Sequence, residues 1–151
     1  MKLILKQQND ISETEVEIRY AKLDVTVQNL INRVKLSNHY ICGEDKGRQY
    51  HILLNDIFYV ENVDRRTFIY TDTKVFRCEI KFNQILDKLK SDDFVQVSNS
   101  CILNINALDN IRTLYNSKME GTLINGEKII ISRTFIPNIK AIFAEEGSDT
   151  R

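Results

Sequence analysis

The chain has 151 residues, 42% of them hydrophobic, and its 21 basic residues are balanced by 21 acidic residues. A chain of this length and composition can bury a core as one compact body with a short N-terminal elaboration. No apolar run approaches the roughly 20 residues that span a bilayer, and residues 1–8 lack the pattern of a signal peptide. The sequence therefore predicts a cytoplasmic protein.

Residues 1–45 are predicted to form a small unit of strands and one helix. Residues 2–7 and 15–20 alternate apolar and polar side chains, as strands do, and the polar residues between them favour a turn. These segments predict a hairpin. Residues 24–36 have the three- and four-residue spacing of an apolar helix face. Its apolar residues are Leu23, Val27, Leu30, Ile31 and Val34. We expect this helix to cover the first strands.

Short strands dominate the middle of the chain. They are predicted at residues 39–43, 49–53, 57–62, 67–71 and 74–79. Residues that favour turns separate these segments, which predicts successive antiparallel hairpins. Residues 82–89 have helical spacing of apolar side chains, and Ser91, Asp92 and Asp93 predict the end of that helix before a strand begins at Phe94.

The last third of the chain continues this alternation of strands and turns. Residues 108–115 and 119–123 predict strands, and Asn125 with Gly126 predicts a tight turn before a strand at 128–131. Pro137 lies near the beginning of a final helix, where a missing backbone N–H is tolerated. The predicted fold class is mainly β with peripheral helices (α+β) and antiparallel sheets.

The sequence offers no convergent set of residues for catalysis. His39 and His51 are the only histidines and belong to no metal-ligand or nucleophile motif. Asp92 and Asp93 are better explained as a helix end than as an acid–base pair. The three cysteines are interpreted as small, partly buried thiols, with a redox switch as the alternative. They are Cys42, Cys78 and Cys101. We expect no enzyme activity, metal, cofactor or small-molecule substrate.

Two polar stretches between apolar segments are candidate contacts to DNA. Arg65, Arg66 and Thr67 lie at a predicted turn, where they can reach phosphates or base edges; a solvated hairpin is the alternative. Ser98 and Asn99 form a polar tip, and an asparagine can pair with an adenine edge. A purely local turn role is the alternative for this tip.

Two further basic residues complete the predicted contacts. Arg133 precedes the final helix, whose packing would fix the direction of the guanidinium toward a guanine edge. Neutralisation by a neighbouring carboxylate is the alternative. Lys118 lies in another turn and is predicted to contact phosphate. Because the net charge is zero, such basic groups must gather on one edge of the fold to bind DNA.

Three segments of this chain resemble the LytTR family of bacterial transcriptional regulators. They read DIFYVE at 56–61, FVQVSNSCILN at 94–104 and ISRTF at 131–135, within a similarity from roughly residue 50 to residue 143. The resemblance implies a LytTR-like domain over residues 46–144 and an acidic tail over 145–151. Residues 1–45 are too short for the receiver domain of a response regulator and are assigned to self-association or regulation.

The resemblance also implies how the loops meet DNA. Residues 65–67 and Arg133 would enter successive major grooves, while Ser98 and Asn99 would approach the minor groove between them. The predicted function is sequence-specific transcriptional regulation. The alternative is a noncatalytic protein-interaction module with the same fold and little DNA affinity, which zero net charge favours. The implied partners are double-stranded DNA, a second copy in a homodimer, and a membrane-protein regulator.

Overall fold

The computed structural model describes residues 1–37, 39–89 and 93–149. The chain divides into two compact units, Met1–Asn38 and His39–Arg151. The segment 40–45 is hydrogen-bonded into the large sheet of the second unit. No helix of the described residues is both long and apolar enough to cross a membrane.

The first unit contains one helix, α1, at Val25–Ser37. Asp24 caps it: its Oδ1 accepts from the Val27 N–H at 2.9 Å, and its C=O accepts from the Gln28 N–H at 3.0 Å. The helix predicted at 24–36 is therefore confirmed. The strands predicted at 2–7 and 15–20 are wrong for this structure, which assigns no strand to residues 1–24. An alternating pattern identifies a face that can be buried, but a strand also needs a neighbour for its backbone groups.

The second unit is built around a seven-stranded sheet in which every neighbouring pair is antiparallel. Its order is β2-β1-β5-β4-β3-β7-β6. The strands are β1 Tyr40–Asp45, β2 Arg48–Leu53, β3 Tyr59–Val63, β4 Arg66–Tyr70, β5 Val75–Cys78, β6 Phe94–Ser98 and β7 Cys101–Asn104. The first five, β1 to β5, were predicted with ends that differ by at most two residues, and the start of β6 was predicted at Phe94.

A smaller antiparallel sheet follows, with the order β10-β9-β8. Its strands are β8 Leu108–Thr113, β9 Met119–Leu123 and β10 Lys128–Ile131. The predicted turn at Asn125 and Gly126 is confirmed, since Gly126 has a φ of 90° and its N–H donates to the Leu123 C=O at 2.9 Å. The strand predicted at 108–115 ends two residues early, which places residues 114 and 115 in the connection to β9.

Two helices flank these sheets, α2 at Phe82–Lys88 and α3 at Ile136–Asp149. Pro137 is the second residue of α3, as predicted. The helix continues through residues 145–149, which the sequence had assigned to an acidic tail; residues 150 and 151 lie outside the described residues. Of the predicted end of α2, Ser91 and Asp92 also lie outside them.

One hydrophobic core joins the two sheets and α3. It contains buried residues of β6, β7, β9, β10 and the final helix, together with one residue just before β3 and one just before β8. These are Phe58, Val97, Cys101, Leu103, Ala107, Met119, Leu123, Ile131 and Ile139. Burial of such aliphatic side chains stabilises the fold by about 1.5–3 kcal/mol each. The connections between the strands are therefore held in place by a shared core.

Candidate nucleic-acid interface

The β3–β4 hairpin positions the first group of predicted contacts. Asp64 and Arg65 form its two-residue turn, with φ angles of 51° and 64°. Positive φ at both central residues matches the type I′ turn that joins twisted antiparallel strands. Arg65 and Arg66 are exposed there. Thr67 differs from them, because its side chain is only 3% exposed and shares the buried face of β4 with Ile69.

A cross-strand aromatic pair braces this hairpin. Tyr59 and Tyr70 are register partners, and their rings stack with centroids 4.2 Å apart. The Tyr70 hydroxyl donates to Glu61 Oε2 at 3.0 Å. Burial and this hydrogen bond raise the pKa of Tyr70 to about 12. The aromatic pair and this hydrogen bond hold β3 and β4 in one register below the exposed arginines.

The β6–β7 hairpin forms a second polar tip. Residues 99 and 100 make the turn, Asn99 is exposed, and Ser98 is half-buried. The Ser98 Oγ accepts from the Ser100 N–H at 3.2 Å. Ser98 therefore braces the turn locally, while Asn99 is presented outward. A register shift between Gln96 and Ser98 marks an irregularity in β6 just before the tip.

Backbone hydrogen bonds place these tips beside each other and beside Arg133. The Asn62 N–H at the end of β3 donates to the Ser100 C=O at 2.8 Å. The Ser132 N–H, just after β10, donates to the Val97 C=O of β6 at 2.9 Å. Arg133 begins a short 3-10 turn, Arg133–Phe135, that leads into α3 and leaves its side chain exposed. Buried Ile131 precedes the arginine, and half-buried Phe135 follows it, so the core anchors both sides of it.

The β8–β9 connection reaches the same end of the small sheet. Lys118 immediately precedes Met119, whose register partner is Ile131, the last residue of β10. Lys118 and Ser132 therefore lie side by side, just beyond the same end of the small sheet. The Leu114 N–H donates to the Lys118 C=O at 2.8 Å and closes this connection. Lys118 is exposed.

These connections form one surface, which we call the loop face. It consists of residues 64–66, 98–100, 114–118 and 132–134. Of the seven residues predicted to contact DNA, the structure brings six to this face and buries Thr67 beneath it. Among the ion pairs of the described residues, which involve Arg19, Arg112 and Lys128, none uses a basic residue of the loop face.

Sequence reasoning missed one prominent residue of the loop face. Tyr115 is fully exposed, at 102% relative accessibility, in the β8–β9 connection. The sequence had placed it at the end of a strand, where an aromatic side chain is common. The polar run begins only at Asn116, so the sequence carried no signal that the strand ends at Thr113. A tyrosine at this position can contact the sugar–phosphate backbone through its hydroxyl.

The cysteines lie outside the loop face or beneath it. Cys101 is buried at the start of β7, and burial, reinforced by the charge of Glu61, raises the pKa of its thiol to about 12. Burial also raises the pKa of Cys78. These two thiols are protonated at neutral pH and therefore poor nucleophiles. Cys42 is exposed. The described residues contain no cluster of three metal-ligating side chains.

Fold and loop face together define a β-rich domain that presents basic and hydrogen-bonding side chains on one edge. Comparison with known proteins identifies the family. Residues 47–144 match the family model of the LytTr DNA-binding domain. The chain therefore belongs to the LytTR family, whose DNA-binding domain associates it with regulation of transcription. The expected family and fold class are confirmed.

Individual relatives agree with this assignment. The chain is 31% identical over 100 residues to the sensory transduction protein LytT of Enterococcus faecalis. That match covers 66% of this chain and 40% of LytT, so the chain spans less than half of its relative's length. A solved LytTr DNA-binding domain from Bacillus cereus superposes with a TM-score of 0.65 at 16% identity. The superposition covers 70% of this chain and 97% of that domain, and it supports the fold.

Proposed function

We propose that this protein is a sequence-specific DNA-binding regulator of transcription that reads DNA with its loop face. The observation that carries the proposal is the convergence of exposed Arg65, Arg66, Asn99 and Arg133 on one edge. Hydrogen bonds between backbone atoms link these connections to each other. Several fixed contacts are needed for readout, because phosphate contacts set the register on the duplex and base contacts supply the specificity.

Each exposed residue suits a particular contact. Arg133 is anchored by the core on both sides and can donate two hydrogen bonds to guanine. Asn99 can donate to and accept from adenine. Lys118 and Tyr115 suit phosphate and sugar contacts, which contribute affinity without sequence information. We assign Thr67 and Ser98 to support of their hairpins, since the first is buried and the second accepts a hydrogen bond within its own turn.

The experiment that tests this function is selection of duplexes from random DNA by the full chain, followed by competition against scrambled duplex at fixed salt. We expect the selected duplex to bind at least about tenfold more tightly than the scrambled one, and both affinities to fall as salt rises. Equal affinity for the two duplexes would contradict sequence-specific binding. A salt-insensitive affinity would contradict a role for the basic loop face.

A second candidate is a noncatalytic protein-interaction module with a LytTR fold and little DNA affinity. The zero formal net charge favours it, because it provides no general attraction to DNA outside the loop face. The same selection separates the two candidates. Absence of duplex binding even at low salt, by a chain with native circular dichroism, would favour the interaction module.

We further propose that the chain acts as a homodimer in the bacterial cytoplasm, where its DNA target is found. Two copies would present two loop faces to two half-sites, a common arrangement for regulators. Residues 1–45 are the proposed site of self-association or regulation, and residues 46–144 are the proposed DNA-binding part. Control by a membrane protein is part of what the LytTR resemblance implies, and co-purification from membranes with crosslinking tests it.

A further inference from the structure

The segment 15–20 has a strand pattern without a strand. Charged Glu15, Glu17 and Arg19 alternate with apolar Val16, Ile18 and Tyr20. The structure assigns no strand to this segment, and Val16 and Tyr20 remain 61% and 51% exposed. Period-two alternation gives a strand one apolar and one charged face. Such a segment can form a strand when a second strand makes hydrogen bonds to its backbone N–H and C=O groups.

The charges of this segment suit pairing with a second copy of itself. In antiparallel pairing about a two-fold axis, residues facing each other point to the same side of the sheet. An axis through Ile18 sets Glu17 opposite Arg19 of the second copy, twice by symmetry. The same register sets Val16 opposite Tyr20, and Ile18 opposite itself. All apolar side chains then share one face.

Neighbouring registers are less favourable. An axis through Glu17 would also pair Glu15 with Arg19 of the second copy, but it would set two Glu17 carboxylates opposite each other and would remove the pairing of Val16 with Tyr20. An axis through Arg19 would set two guanidinium groups opposite each other. Like charges directly opposite each other destabilise a strand pair. An axis between adjacent residues would mix apolar and charged side chains on each face. The register centred on Ile18 therefore combines two attractive charge pairs with one continuous apolar face.

We propose that residues 16–20 of two copies pair as antiparallel strands about a two-fold axis through Ile18. This deepens the proposed homodimer and rests on it, but it is independent of DNA recognition by the loop face. A two-stranded ribbon is marginal in water unless its apolar face is covered. The α1 helices, which begin five residues after Tyr20 and carry apolar residues at helical spacing, supply that cover.

Charge exchange between copies tests this pairing directly. Glu17→Lys sets a lysine opposite Arg19 of the second copy, and Arg19→Glu sets two glutamates opposite each other. Each variant alone should dimerise about tenfold more weakly than the native chain, because two attractive pairs become repulsive. An equimolar mixture of the two variants should recover dimerisation as a heterodimer, since both cross-copy pairs are then of opposite charge. Analytical ultracentrifugation with one variant fluorescently labelled measures each constant.

The mixture isolates the cross-copy contact from effects within one chain. Arg19 Nη2 lies 3.4 Å from Glu17 Oε2 of the same chain, and both variants lose this exposed pair. Mixing cannot restore it, so recovery reports only the pairing between copies. Glu13→Lys is the matched control: it makes the same charge change outside residues 16–20 and should leave dimerisation unchanged.

The outcomes separate this proposal from the others. A native chain that stays monomeric at all concentrations overturns both the homodimer and the strand pairing, while leaving DNA binding standing. A native dimer that both variants leave unchanged, or two weakened variants that fail to recover on mixing, overturns the strand pairing alone. Hydrogen exchange gives a readout without substitutions. Amides of residues 16–20 should become protected as concentration rises, and concentration-independent exchange there also overturns the pairing.

Discussion

Replacing Arg65 with glycine should stabilise the fold while weakening DNA binding. Arg65 has a φ of 64°, a left-handed conformation that costs an L-residue about 1–2 kcal/mol. Glycine adopts this conformation without that cost, but it loses roughly 0.5–1 kcal/mol more backbone entropy on folding. The difference leaves Arg65→Gly more stable by about 0.5–1 kcal/mol. For a chain of this size the melting temperature rises by about 1–4 °C.

The same substitution removes a guanidinium from the loop face. If Arg65 contacts a base edge or a phosphate, the affinity for the selected duplex should fall by about tenfold. Arg65→Ala separates the two effects, because alanine also lacks the guanidinium but keeps the Cβ that makes a positive φ costly. This variant should lose the same DNA affinity with no gain in stability. Urea unfolding and fluorescence anisotropy at fixed salt measure the two quantities.

Asp64→Gly is the control within the same turn. Aspartate tolerates the left-handed region better than arginine, so its replacement should change stability by only a few tenths of a kcal/mol. It also removes a negative charge and should not weaken DNA binding. The reasoning is refuted if Arg65→Gly is no more stable than Arg65→Ala, or if both variants bind the selected duplex as tightly as the native chain.

Three further predictions concern other exposed side chains and the thiols. Arg133→Ala should reduce the free-energy difference between specific and nonspecific binding by roughly 1–3 kcal/mol. Lys118→Ala should instead lower both affinities together and make their salt dependence shallower, and competition binding over a salt series distinguishes the two variants. An unchanged ratio of specific to nonspecific affinity for Arg133→Ala, with native circular dichroism, would show that this arginine does not read bases. Tyr115→Phe should lower the affinity for the specific and the scrambled duplex equally, by a few-fold, because only a contact of the hydroxyl with the DNA backbone is lost. A loss of affinity confined to the specific duplex would assign the residue to base readout. Iodoacetamide should modify Cys42 in the native protein but reach Cys101 only after unfolding, as read by peptide mass spectrometry; rapid native modification of Cys101 would contradict its burial and its pKa of about 12.

Most of the β-rich fold was predictable because its signals are local. Alternation gave the strand positions, and Asn125 with Gly126 gave a tight turn that the structure confirms. The predicted strands of the first unit failed for a different reason. Residues 2–7 and 15–20 have the right alternation, but pairing depends on whether another strand is available, and no local pattern carries that information. The helix that follows was predictable from its cap and spacing alone.

The loop face was predictable in composition more than in geometry. The sequence identified Arg133 and Asn99 as exposed polar candidates, but it could not show that the Ser132 N–H bonds to β6. Thr67 could have been excluded from the exposed set. It is two residues from Ile69, and the two residues share a strand face, so burial of the isoleucine implies burial of the threonine. Tyr115 was not predicted as a contact residue because the predicted end of β8 lay two residues too far along the chain.

The two hydrogen bonds that join the tips, from Asn62 to Ser100 and from Ser132 to Val97, use backbone atoms alone. Their lengths and directions do not depend on which side chains occupy positions 65, 99 and 133. Point substitutions at these positions can therefore alter which base is preferred while the separation between the reading positions stays constant. In this proposed mode of recognition, a lineage of such proteins could acquire new operators one base at a time, without rebuilding the domain and without changing the spacing of the operator.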